Sequence, residues 1–194
     1  MPPILPPPTP AEIEFLAEHE LITIIPSSRI GELRFLEGTY GPFAPPERAD
    51  VPLWLAVTLR GKGKCRVVPP AWLTVEALQT RCDEERAHAQ FSALPFHHAA
   101  IARLLLSPPC ADDIPNAASL RILVRDLRDL RQSKILGGVG LLDGEYLQMD
   151  GLGWMEVNEM RPFFVKAFGT IRQLAATAVA AKAEDDDVAD HGAA

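Results

Sequence analysis

Proline restricts this chain more than any other residue. Thirteen of its eighteen prolines stand at or before Pro70, six of them in the first ten residues. Proline supplies no amide donor, so long helices and central strands are disfavoured wherever it is dense. The first third is therefore expected to be short strands and turns. Pro69-Pro70 is the sharpest break, because beyond it the apolar period changes from two to 3.6. An α+β chain follows from this: a small N-terminal β-rich domain over residues 11–69, then a helical bundle over 70–178. A flexible proline-rich leader (1–10) and a disordered acidic tail (179–194) are expected to flank them.

Local signals fill in the elements. Thr9-Pro10-Ala11-Glu12 reads as a helix start, with a hydroxyl cap, proline at the first position and Glu three residues on. That helix should end near Glu20. Leu21–Ile25 is a β-branched run closed by Pro26, expected to be a mostly buried strand. A second strand is expected over Glu32–Glu37 and a third over Val51–Arg60, the latter turning through Gly61 and Gly63 into Cys65–Val68 as a hairpin. Helices are expected over 74–89, 95–106, 116–136 and 158–178, with Pro162 in the first turn of the last or kinking it.

Charge and composition limit the function classes. Hydrophobic residues make up 47% of the chain, enough to bury a core. The net charge is −7, but five acids lie among the last eleven residues, where there is no Lys or Arg. The rest of the chain sets nineteen basic against twenty-one acidic side chains, a balance of −2. Affinity built mainly on nucleic-acid phosphates is unexpected at that balance. No apolar run approaches membrane-spanning length, and Met1–Pro8 lacks the basic start and continuous apolar core of a secretory signal. Cys65, Cys82 and Cys110 form no CxxC pair, which suits a reducing compartment and three small buried apolar residues.

Catalytic signals are weak. Gly138-Val139-Gly140-Leu141-Leu142-Asp143 opens like a dinucleotide fingerprint, but it follows a helix and has Asp at the third small position. Gly61-Lys62-Gly63-Lys64 lacks the upstream glycine and the hydroxyl of a phosphate loop. His97 and His98 point about 100° apart on a helix, so they cannot share a metal, and no zinc spacing is present. His88 and His98 are expected at the surface or an interface, with His97 partly buried. No catalytic residue, cofactor or metal is expected.

The most ordered polar feature lies on the helix at 116–136. Leu120, Leu123, Val124, Leu127 and Leu130 make its apolar stripe, while Arg121, Arg125 and Arg128 fall within about 60° of one another. One reading is a solvated face partly neutralised by Asp126 and Asp129. The other is a docking face for acidic surfaces, since arginine forks onto carboxylates.

Seven segments, in order, then carry a resemblance. They are Glu14–Glu18 with Ile22–Pro26, Gly41-Pro42-Phe43, Val51–Ala56, Lys64–Leu73, Leu94–His97, Asp112–Pro115 and Arg121–Leu127. Over about residues 11–176 the chain resembles the second "partner of Sld-Five" subunit type of the eukaryotic GINS complex. The glycine-rich stretch Gly137–Gly153 departs most from that pattern. The resemblance implies a non-catalytic, nuclear subunit of a heterotetramer, with the β-rich B domain first and the helical A domain second. It implies three sister GINS subunits as partners, and the MCM ring with its cell-division-cycle partner in the CMG replicative helicase. DNA would be met only indirectly or weakly, and membranes not at all. Arg121, Arg125, Arg128, Arg131 and Leu127 are then the subunit-interface candidates, with Leu123, Leu127 and Leu130 toward the bundle core. Trp54, Cys65, Arg66 and Trp72 are the candidates for the junction between domains. A stand-alone nucleic-acid-binding or adaptor protein is the alternative.

Overall fold

The computed structural model describes residues 7–138 and 149–191. The elements run α1 (Pro10–Ala17), β1 (Leu21–Pro26), β2 (Leu33–Arg34), β3 (Thr39–Tyr40), β4 (Ala49–Pro52), α2 (Leu53–Gly61), β5 (Cys65–Val67), α3 (Val75–Ala87), α4 (His98–Leu105), α5 (Ala117–Gly138) and α6 (Trp154–His191). It is an α+β chain, with the strands in the first third and the helical bundle after it.

α1 starts as its sequence dictates. The Thr9 hydroxyl accepts the Glu12 amide while the Glu12 carboxylate accepts the Thr9 amide, a reciprocal capping box. The expected leader thus ends two residues sooner, because Thr9 and Pro10 belong to the helix. β1 is the centre of an antiparallel sheet ordered β4-β1-β5, with Ile22 opposite Val51 and Ile25 opposite Arg66. Its side chains alternate between interior and surface rather than being uniformly buried. β2 and β3 form a separate short hairpin closed by the Phe35 amide donating to the Gly38 carbonyl, so pairing covers only two residues of the expected 32–37 strand.

The largest departure lies at 51–60. Only Val51 and Pro52 stay extended, and Leu53–Gly61 is a helix. Pro52 (φ −56°) is confined to a position just outside it, where its missing amide costs nothing. Leu53, Ala56 and Leu59 then repeat every three residues and are buried, with Leu55 also inside. A segment covered on two sides fits either period, which is why its apolar run reads equally as a strand. Gly61–Lys64 therefore joins a helix to β5 instead of closing a hairpin, with Gly63 in the left-handed region (φ +66°).

α3 and α4 fall within the expected spans, and α5 runs two residues past its expected end at 136. α6 begins at Trp154, four residues before the expected start, and its backbone stays helical to His191. The helix thus runs thirteen residues past the expected stop at Ala178. Residues 174–184 are mostly alanine, with no glycine or proline to end a helix. Pro162 is the ninth residue of α6, past its first turn. The dinucleotide-like stretch falls, beyond Gly138, outside the described residues.

One core runs through both halves. It joins Ile22, Ile24 and Val51 of the sheet and Leu55 of α2 to Leu78 of α3, Leu105 of α4 and Leu120 and Leu127 of α5.

Candidate functional site

α5 presents its arginines in two unlike ways. Arg125 is 82% exposed and its Nε lies 4.0 Å from Asp129, while Arg128 reaches Glu159 of α6 at 2.7 Å and stays over half exposed. Arg121 turns back onto the fold, its Nε donating to the Leu106 carbonyl at 3.1 Å. These three flank one side of α5, as the sequence led us to expect. Leu127 is buried, and Leu123 and Leu130 pack half-buried against the core.

Arg131 is elsewhere, and this corrects its place among the interface candidates. It is fully buried. Its Nε and Nη2 donate to Glu156 at 2.6 and 2.9 Å, its Nη1 to Glu85 at 2.5 Å, and its Nη2 also to the Gly151 carbonyl at 2.6 Å. Lys134 adds an ion pair to Glu85, whose carboxylate also accepts the Ser92 amide and hydroxyl. One guanidinium thus ties α5 to α3, to α6 and to the segment entering α6. Burial by itself would push both carboxyls up. For Glu85 the hydrogen bonds from Lys134 and Ser92 and the Arg131 charge outweigh it; for Glu156 the Arg131 fork and the Gly153 amide do. Both sit below the ordinary carboxylate value.

His98 belongs to this cluster and not to the surface. Its ring is nearly buried, with Nδ1 3.0 Å from the Pro95 carbonyl and Nε2 3.9 Å from Glu156. Desolvation lowers its pKa, against the opposing pull of Glu156. Gly153 makes room for it, since a methyl group there would stand 2.6 Å from the ring. His97 is partly buried, as expected, and stacks on Trp154.

Between α4, α5 and the start of α6 lies a groove of about 590 Å³. Trp72, Leu78, Leu94, Leu106, Val124 and Leu127 line it with apolar surface, and Arg103, Arg121, Arg125 and Arg128 edge it. Asp129 and Glu159 share the rim.

The candidates for the domain junction separate. Trp54 packs edge-on against Phe35 and Tyr40 inside the N-terminal third, and Cys65 is buried with its thiol toward the Ala56 carbonyl. Trp72 faces the groove. Arg66 does reach across, to Asp113 at 3.9 Å, but the principal link is Asp113 itself. From the turn between α4 and α5, its carboxylate accepts the Val67 amide at 2.9 Å and lies 2.6 Å from Arg60 of α2. Sequence reading missed Asp113 as a link, although it lies in the Asp112–Pro115 segment that carried the resemblance.

Burial raises the Cys65 thiol to about 11, so it stays protonated at neutral pH. Among the described residues no three metal-ligating side chains converge, and no helix is long and apolar enough to cross a membrane.

Two family models match the chain one after the other: the PSF2 N-terminal domain over residues 9–68, and the GINS complex protein helical bundle domain over 72–174. The chain belongs to the PSF2 family of GINS proteins. The DNA replication complex GINS protein psf2 of Schizosaccharomyces pombe is 39% identical over 86% of this chain and 90% of its own length. Its counterparts named PSF2 in Xenopus laevis and Homo sapiens are 37% and 36% identical, each over 84% of this chain and 90% of their own. The two family models part between residues 68 and 72, at Pro69-Pro70, and the Asp113 carboxylate bridges them. The arginine rim, the Arg131 cluster and, apart from Pro10, the lining of the groove lie in the helical-bundle part of the family.

Proposed function

We propose that this chain is a non-catalytic structural subunit of the GINS complex, acting in initiation and elongation of chromosomal DNA replication as one of four chains. The observation that carries this is the match of two GINS-family models, in order, to both halves of the chain. The geometry agrees with a scaffold. Its buried charges are spent on holding helices together, and its exposed cations edge an apolar groove instead of converging on a reactive atom.

The partners are the three sister GINS subunits and, through the assembled complex, the MCM ring and its cell-division-cycle partner in the CMG helicase. The site of action is the nucleus. Arg121, Arg125 and Arg128 with the groove beside them form one docking face, for a carboxylate-bearing surface of a sister subunit or of the MCM ring. A stand-alone nucleic-acid binder is disfavoured by the near-neutral balance outside the last eleven residues.

The test is recovery of the epitope-tagged chain from replicating nuclei. MCM subunits should accompany it in stoichiometric amount, and reversal of all three arginines to glutamate should reduce that recovery or the tetramer itself. A tagged chain that enters neither assembly overturns the reading. A charge-reversed chain that enters both normally removes the arginines from the docking face.

A further inference from the structure

Two hydroxyl–proline dipeptides occur in the sequence, Thr9-Pro10 and Ser107-Pro108, and the fold treats them oppositely. Ser107 is half-buried in the turn that closes α4. Its hydroxyl donates to the Arg103 carbonyl at 2.6 Å, and its own carbonyl accepts the Cys110 and Ala111 amides. Thr9 is exposed and extended, with φ −69° and ψ 155°, close to the polyproline conformation. The backbone before it is held at Pro8, whose carbonyl accepts the Asn158 side-chain amide at 2.9 Å. An enzyme that takes its substrate extended therefore finds Thr9 ready and has to open only the first turn of α1. An exposed helix end opens at little cost.

The prolines choose the class of enzyme. Proline directly after the hydroxyl residue has no amide donor, so it suits a pocket that offers no acceptor; any other residue there buries an unpaired amide. Pro7 stands two residues before Thr9, and Glu12 three residues after it rejects an enzyme that needs a cation there. We propose that Thr9 is the acceptor for a proline-directed protein kinase, and that Arg103 receives the phosphate. In that step Thr9 Oγ1 attacks the γ-phosphorus of ATP. The new O–P bond forms as the bond from that phosphorus to the β,γ-bridging oxygen breaks, ADP leaves, and the hydroxyl proton passes to the kinase's catalytic-loop aspartate.

Arg103 lines a shallow cleft with Thr9 and Pro10, and Glu14 and Glu18 share it. Its Nη1 is 2.8 Å from Glu14, but the Arg103 side chain is 66% exposed, where a carboxylate pair contributes little. A phosphate of about −1.5 to −2 charge, with three acceptor oxygens, is the stronger claimant. At Thr9 the hydroxyl that donates to Glu12 Oε2 at 2.9 Å is replaced by an anion, so the Glu12 carboxylate is driven out of the capping box. Arg103 and Pro10 also border the groove beside α5, so the phosphate alters the edge of that face. The site is complete within this one chain.

The full chain, in its four-chain complex, is treated with a mitogen-activated protein kinase and radiolabelled ATP, and the label is located by peptide mass spectrometry. Thr9 should carry it. Thr9→Ala, and Pro10→Ala with the hydroxyl kept, should each lower incorporation at least about tenfold, and Ser107→Ala should leave it unchanged. No incorporation, incorporation at Ser107 alone, or full incorporation in Pro10→Ala overturns the acceptor. A chain that ignores its sister subunits overturns the function proposed above, and is then assayed alone for the same outcomes. Phosphorus NMR follows the second ionisation of the phosphothreonine, which Glu12, Glu14 and Glu18 oppose and Arg103 favours. Arg103→Gln should raise its pKa by about 0.3 to 0.7, the span of an exposed ion pair. The same pKa in wild type and variant overturns Arg103 as the partner of the phosphate.

Discussion

Arg131 grips Glu156 through two parallel hydrogen bonds, Nε to Oε1 at 2.6 Å and Nη2 to Oε2 at 2.9 Å, and both side chains are buried. Such a fork satisfies both partners at once, and the remaining Arg131 nitrogen goes to Glu85. Removing the guanidinium leaves two buried carboxylates, of which Glu85 retains only Lys134 as a cation. Arg131→Met should cost about 3–5 kcal/mol, the range for breaking a buried ion pair from one side. Thermal or urea unfolding of the variant checks this, and a loss below about 1 kcal/mol, the size of an exposed pair, contradicts it.

The same cluster sets an acid limit. Glu85 and Glu156 are depressed in the folded state, so their contribution is complete above the ordinary carboxylate value of 4.5 and is lost as pH falls through their folded values. His98 is depressed below its ordinary 6.5, so the unfolded chain takes up the proton first and stability already falls as pH drops below 6.5. Melting temperatures should decline in two stages. His98→Gln should remove the first stage and leave the second, in a pH series of melting curves.

Gly153 and His98 are fitted to each other. A Cβ at 153 would meet the imidazole at 2.6 and 2.8 Å and the Phe96 carbonyl at 3.1 Å, with little room to yield in a packed site. Gly153→Ala should destabilise by about 1–3 kcal/mol, the usual cost of overpacking. The control is Gly137→Ala, whose Cβ meets nothing within 4 Å and which should be neutral or better.

Asp113 links the sheet to the bundle. Asp113→Ala leaves the Val67 amide unbonded and Arg60 without its close carboxylate, at an expected cost of about 1–3 kcal/mol. Hydrogen exchange should quicken at Val67 and along β5, while α5 stays protected.

These side chains also show what the sequence disclosed. The caps, β1 and the helices of the bundle were legible because each rests on neighbouring residues: Thr9 with Glu12, or Leu120 with Leu127. The 51–60 segment was not, because burial on both sides erases the difference between the two periods, and Pro52 is compatible with either. Arg131 was grouped with the other arginines by residue type. Its position four residues after Leu127 and seven after Val124 places it in the apolar stripe. Glu85 follows Leu78 and Cys82 in the same way, and Glu156 precedes Met160 by one turn. A charge at an apolar position on each of three helices was the available sign of a buried cluster. Asp113 left no such sign, because its partners Val67 and Arg60 are about fifty residues away and meet it only in the folded chain.

The central claim is that this chain is one of four in a structural complex. Co-expression with the three sister GINS subunits, followed by size-exclusion chromatography with mass determination, tests it most directly. The account predicts a single species with one copy of each chain, and poor solubility of this chain expressed alone. A well-behaved monomer that leaves the other three unbound would contradict it.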